Sequence, residues 1–84
     1  MSHQVILSKS VRRQIEALPI AIQERIIDTI RLLVDDPYPQ GAKKLHARTG
    51  RCIRIGEYRI IYDINDDEST ITLLKVGHRR DMYR

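Results

Sequence analysis

Residues 51–62, Arg-Cys-Ile-Arg-Ile-Gly-Glu-Tyr-Arg-Ile-Ile-Tyr, constrain this chain more than any other stretch, because they specify a tight β-hairpin and its register together. Gly56-Glu57 is a two-residue turn of the Gly-X kind set between runs of β-branched and aromatic residues. Closing it pairs residue 55 with 58, 54 with 59 and 53 with 60. Cross-strand partners share a face, so Ile53, Ile55, Tyr58 and Ile60 point one way while Arg54 and Arg59 stand together on the other. Like charges directly opposite are destabilising, by a few tenths of a kcal/mol up to about 1. An anion lodged between the two guanidinium groups would turn the pair favourable.

The remaining elements must build a core around that hairpin within 84 residues, which is room for one small domain spanning residues 1–84. The single cysteine, Cys52, rules out an internal disulfide, and no His/Cys spacing resembles a zinc site, so neither cofactor nor metal is expected. No run approaches about 18 apolar residues and the first residues lack the pattern of a signal peptide, which points to a cytoplasmic protein with no membrane partner. The net charge of +4 is unevenly placed. Residues 1–42 carry five basic and five acidic side chains, whereas residues 43–84 carry ten basic against six acidic and hold the whole excess. Segregated positive charge suits a polyanionic partner, with a solvated basic surface as the plain alternative.

Periodicity predicts a first strand over 3–8, then a helix capped by Ser8 or Ser10 and carrying Val11, Ile15 and Leu18 at helical spacing. Pro19 ends it and suits the start of a second helix, roughly 20–35, whose stripe is Ile22, Ile26, Ile27, Ile30, Leu33 and Val34. Asp36-Pro37-Tyr38-Pro39 breaks the chain into a loop, and 42–50 reads as basic and irregular with at most one helical turn. A meander of about 51–55, 58–64 and 70–76 follows, Gly77 ends the last strand, and a basic tail remains. The order predicts an α+β sandwich, β-α-α-β-β-β, with two antiparallel helices on one face of a mostly antiparallel four-stranded sheet. The other face is left open and carries Arg54 and Arg59.

The phrase Arg54-Ile55-Gly56-Glu57-Tyr58-Arg59-Ile60-Ile61-Tyr62, an acidic turn, and the ending Val76-Gly77-His78-Arg79-Arg80-Asp81-Met82-Tyr83 together resemble the RelE-type toxins of the RelE/ParE superfamily. The resemblance runs nearly the whole chain and includes the Asp-Asp-Pro loop leading to Lys43-Lys44-Leu45. It implies a type II toxin: an endoribonuclease, or mRNA interferase, that cuts mRNA in the ribosomal A site without a metal and is silenced by a RelB-type antitoxin. Operator DNA would be met only through the antitoxin complex. ParE-like members of the superfamily instead inhibit DNA gyrase, and a basic module that binds nucleic acid without cutting it is a third reading.

Carried over position by position, Arg54 and Arg59 match the family's hairpin basic residues, Arg79 its arginine after the last strand and Tyr83 its tail tyrosine. Attack of a ribose 2′-OH on the adjacent phosphate spreads charge over the nonbridging oxygens, where fixed guanidinium groups stabilise the transition state. Arginine stays charged and its fork matches phosphate geometry. The family often places a second basic residue where this chain has Cys52, so the general base is open. His78 is a candidate acid or base, since a neutral imidazole accepts a proton near pH 7. Lys43, Lys44, Arg48, Arg51 and Arg80 are candidate RNA-phosphate contacts, although strand alternation turns Arg51 away from Arg54. Glu57 reads as a solvated turn carboxylate, and Asp63 or Glu57 are the local acids that would pair Arg54 and Arg59 if these were ordinary surface arginines.

Overall fold

A computed structural model describes residues 3–45 and 50–82. The elements in order are β1 (Gln4–Leu7), α1 (Lys9–Glu16), α2 (Ile20–Asp35), β2 (Lys43–Lys44), β3 (Arg51–Ile55), β4 (Tyr58–Asn65), β5 (Thr70–His78) and α3 (Arg79–Met82). The five strands form one sheet in the order β1-β5-β4-β3-β2, parallel between β1 and β5 and antiparallel elsewhere. The predicted α+β architecture therefore stands with two additions, a fifth strand at the edge and a short helix at the end. Among the described residues no helix is long and apolar enough to cross a membrane.

Local chemistry sets the helix boundaries. The Ser8 hydroxyl accepts the Val11 N–H at 3.1 Å and so starts α1, settling the choice between Ser8 and Ser10. At the other end, the Gln23 side-chain amide donates to the Leu18 carbonyl at 2.8 Å and to that of Glu16 at 3.2 Å, so the second helix satisfies orphan acceptors of the first. Val11, Ile26 and Leu33 meet Ile55, Ile60, Tyr62, Ile71, Leu73 and Val76 in the main core, with Ile15, Leu18, Ile22 and Ile30 packed at its margin. Both long helices thus cover one face of the sheet. Ile27 departs from the expected stripe: it is 43 % exposed, on the side of α2 turned from the sheet.

The hairpin register is as the turn demands, with Ile55 opposite Tyr58, Arg54 opposite Arg59 and Ile53 opposite Ile60. Gly56 takes φ +60° while Glu57 keeps a negative φ, which is the Gly-X pattern. Between β4 and β5 the register slips once: Ile61 faces Lys75 but Tyr62 faces Leu73, leaving Leu74 as the extra residue of a bulge. Strict alternation from Ile71 and Leu73 would carry Lys75 into the core. The bulge reverses the phase, so that Val76 is buried beside Ile60 and Lys75 turns outward.

Three further expectations are corrected. Lys43–Lys44 is not irregular but pairs with Cys52 and Arg51 as an edge strand. The last strand does not end at Gly77; it runs to His78 and leads directly into α3. The sheet's outer face is also not bare, because Cys52 and Ile61 are buried there with Leu45 packed against them. Covering that apolar pair is the physical reason for the edge strand, since two lysines by themselves have little β preference.

Candidate active site

On the outer face the pairing lays residues out in rows. Arg54, Arg59 and Gly77 form one row across β3, β4 and β5; Lys43, Cys52, Ile61 and Lys75 form the next, across β2 to β5. Side chains in a row share the face. A cleft of about 160 Å³ opens there, lined by Gly41, Lys43, Leu45, Cys52, Arg54 and Arg59. Three cationic side chains therefore border one small hollow that Leu45 and Cys52 also line. Of the two local acids, Glu57 is engaged by His78 and Arg79, and Asp63 accepts the Ile64 N–H at 3.0 Å.

Lys43 matters because of the residue it faces. Cys52 stands where a basic side chain was expected, and Lys43 is its cross-strand partner, so the neighbouring strand brings a cation to the same spot. Nothing in the local sequence marks this, because the pairing comes from a two-residue strand.

A second cluster lies at the tip of the hairpin. The Glu57 carbonyl accepts the Arg79 N–H at 2.8 Å, its carboxylate contacts His78 Nε2 at 3.1 Å, and Arg79 Nη2 lies 3.9 Å from the same carboxylate. His78 Nδ1 accepts the Arg80 N–H at 3.2 Å, so the ring carries its hydrogen on Nε2 and donates it to Glu57. The hydrogen bond from His78, and then the charge of Arg79, hold the Glu57 carboxyl below the usual carboxylate range. The imidazole packs edge-on against its cross-strand partner Tyr58, with ring centroids 5.4 Å apart, on the helix side of the sheet. It does not join the Arg54–Arg59 row.

Arg51 is also apart from the pair. Its guanidinium lies 4.6 Å from the centre of the Tyr38 ring, whose hydroxyl donates to Asp66 at 2.7 Å. Lys44 faces Arg51 across β2 and β3. Arg79 and Arg80 open α3 and are exposed. Tyr83 and Arg48 lie outside the described residues. The lining residues Gly41 and Leu45, the outward Lys75 and the bridging role of Glu57 were not singled out by sequence reasoning; only Glu57 had a signal, its place in the turn opposite the strand end.

Comparison with known proteins places this geometry. The family described as ParE toxin of the type II toxin–antitoxin system, parDE, matches residues 5–83. The chain belongs to the RelE/ParE superfamily of type II toxins. This RelE/ParE toxin is 30 % identical over 86 residues to toxin RelG of Mycobacterium tuberculosis, covering 100 % of this chain and 99 % of that one. Its fold is similar to the toxin–antitoxin complex RelBE2 of the same organism, with TM-score 0.83, 27 % identity and coverage of 94 % of this chain and 100 % of that one. It is similar, too, to the archaeal RelE–RelB complex of Pyrococcus horikoshii, with TM-score 0.82, 28 % identity and coverage of 94 % and 97 %.

Proposed function

We propose that this toxin is a ribosome-dependent mRNA endonuclease that cuts by attack of a ribose 2′-OH on the neighbouring phosphate. The observation that carries the reading is the cleft bordered by Lys43, Arg54 and Arg59. A phosphodiester seated there would relieve the repulsion between the two facing arginines and place its nonbridging oxygens against fixed donors. The 2′ oxygen bonds to phosphorus and the bond to the 5′ oxygen breaks, giving a cyclic phosphate and a free 5′-hydroxyl. The 2′ proton leaves to a base and a proton is delivered to the leaving oxygen. Arginine cannot serve as that base because it does not deprotonate in a protein. Lys43, which faces Cys52 and lines the cleft with Arg54 and Arg59, is the candidate for proton transfer, with Tyr83 a further candidate; Arg79 completes the positive charge from the strand end. Lys44, Arg48, Arg51 and Arg80 would hold the RNA on either side.

RelB-type antitoxins accompany the similar toxins of Mycobacterium tuberculosis and Pyrococcus horikoshii, and a cognate antitoxin of that kind is the partner expected here. Gyrase inhibition is the second reading, favoured by the ParE description of the matching family. Expression of the toxin followed by mapping of mRNA ends separates the two. Codon-phased cuts in translated messages, lost in an Arg59→Ala, Arg79→Ala double variant with a drop of at least about 100-fold, are expected. Intact mRNA together with an induced DNA-damage response would instead establish the gyrase reading.

A further inference from the structure

The C-terminal helix is too short to hold itself. Four residues make barely one turn, and helix formation needs a costly nucleus that only outside contacts can offset. In this chain those contacts are specific. At the start of α3, His78 behaves as an N-cap: its Nδ1 takes the Arg80 N–H, one of the orphan donors of the first turn. Its other nitrogen, Nε2, is bonded to the Glu57 carboxylate, and the Glu57 carbonyl takes the N–H of Arg79. At the far end Lys75, turned outward by the bulge, donates from Nζ to the Asp81 carbonyl at 3.1 Å.

We propose that His78 and Glu57 are a positioning pair that seats α3 on the hairpin tip and so fixes Arg79 near the row that holds Arg54 and Arg59; this rests on the nuclease reading for its catalytic consequence. Both ring nitrogens are occupied by structural bonds, and the ring lies on the opposite face from Arg54 and Arg59. It contacts Glu57 from the turn, Tyr58 from β4 and Arg80 from α3, and Gln14 of α1 and Asp81 of α3 line the same hollow. The imidazole therefore acts through the backbone of α3 and not on the substrate. Glu57 complements it: its carboxylate sits 3.9 Å from Arg79, close enough to restrain the guanidinium and long enough for a phosphate to displace it.

Asparagine tests this sharply, because it is a strong N-cap whose side-chain oxygen reproduces the Nδ1 acceptor, yet it has no imidazole ring. Amide hydrogen exchange is followed at Arg79 and Arg80, with Ile26 and Ile60 reporting the core, in the full chain carrying His78→Ala, His78→Asn or Glu57→Ala. Cleavage of translated mRNA is measured on the same proteins. His78→Ala and Glu57→Ala are expected to speed exchange at Arg79 or Arg80 by about tenfold with core protection kept, and to slow cleavage by a similar factor. His78→Asn, which keeps the cap but not the Nε2 contact with Glu57, should fall between His78→Ala and the parent on both counts. Unchanged exchange in both alanine variants would overturn the proposal. So would a His78→Asn protein that protects Arg80 but cuts no better than His78→Ala, since the ring itself would then be doing the chemistry. If the parent protein cuts no RNA, the nuclease reading fails while the exchange experiment still decides whether the pair seats α3.

Discussion

Arg54 and Arg59 face each other in the observed register, with Arg54 exposed and Arg59 partly buried. Like charges directly opposite cost stability, and the proposed nuclease role accounts for keeping them, since it sets stability against charge in the cleft. Arg54→Ala is expected to raise the free energy of unfolding by a few tenths of a kcal/mol up to about 1 while reducing toxicity. Urea denaturation checks the first effect, and a variant less stable than the parent would show that the pair is not repulsive. Tyr62 gives a residue-scale prediction of a different kind. It is fully buried, its hydroxyl donates to the Pro37 carbonyl at 3.0 Å, and burial pushes its ionisation up to about 12. In the unfolded chain a tyrosine ionises near 10. Between about pH 10 and 12 the unfolded state alone gives up the proton, so this contribution is whole below pH 10 and is lost as pH rises through that window. Tyr62→Phe should be less stable at pH 9 by about 1 kcal/mol, for want of the Pro37 hydrogen bond. By pH 11 the parent should have lost about 1.4 kcal/mol that the phenylalanine variant keeps, closing the gap. A gap that stays constant between the two pH values would contradict this account.

At the scale of elements, the sequence was legible wherever a local rule fixed geometry. The two-residue turn at Gly56-Glu57 determined the register of β3 and β4, and serine capping with 3.6-residue spacing located α1 and α2. What escaped were features decided by packing between distant segments. The bulge at Leu74 has no signature in Thr-Ile-Thr-Leu-Leu-Lys-Val; it exists because Tyr62 and Ile60 both require apolar partners inside, and only an extra residue lets Leu73 and Val76 supply them. β2 was hidden because two lysines carry no strand pattern, and its place is set by Leu45 closing over Cys52 and Ile61. The site divides the same way: the facing arginines follow from the hairpin, whereas Lys43 and the Glu57–His78 contact depend on β2 and on the phase change in β5. Gly50, just before β3, shows how tightly these segments meet. A Cβ there would lie 2.9 Å from the Tyr62 carbonyl oxygen at φ +114°, whereas a Cβ at Gly41, φ +101°, would point into open space. Both substitutions to alanine incur backbone strain, so their difference isolates the clash. Gly50→Ala should lower stability by about 1–3 kcal/mol and clearly more than Gly41→Ala; equal losses in thermal or urea unfolding would show that β4 yields at no cost.

For the whole molecule, charge placement makes the proposed binding face quantifiable. The chain's excess of +4 lies entirely in residues 43–84, and the structure gathers part of it on one face and one end of the sheet. Each phosphate neutralised on a single strand contributes about −0.7 to the slope of log affinity against log salt. Lys43, Arg54, Arg59 and Arg79 acting together should contribute about −3 to that slope, which alone weakens single-stranded RNA binding about 50-fold between 50 mM and 200 mM salt. Replacing Lys43, Arg54 and Arg59 by alanine should make the slope shallower by about 2, the share of three phosphate contacts, whatever the flanking basic residues add. The comparison is decisive because the two proteins keep the same basic residues elsewhere, including Arg51 over Tyr38 and Lys75 of β5, bonded to the Asp81 carbonyl. If the triple variant retained the parent's slope, the RNA would be held by those outlying charges, and the cleft between the arginines would lose its claim to the phosphate.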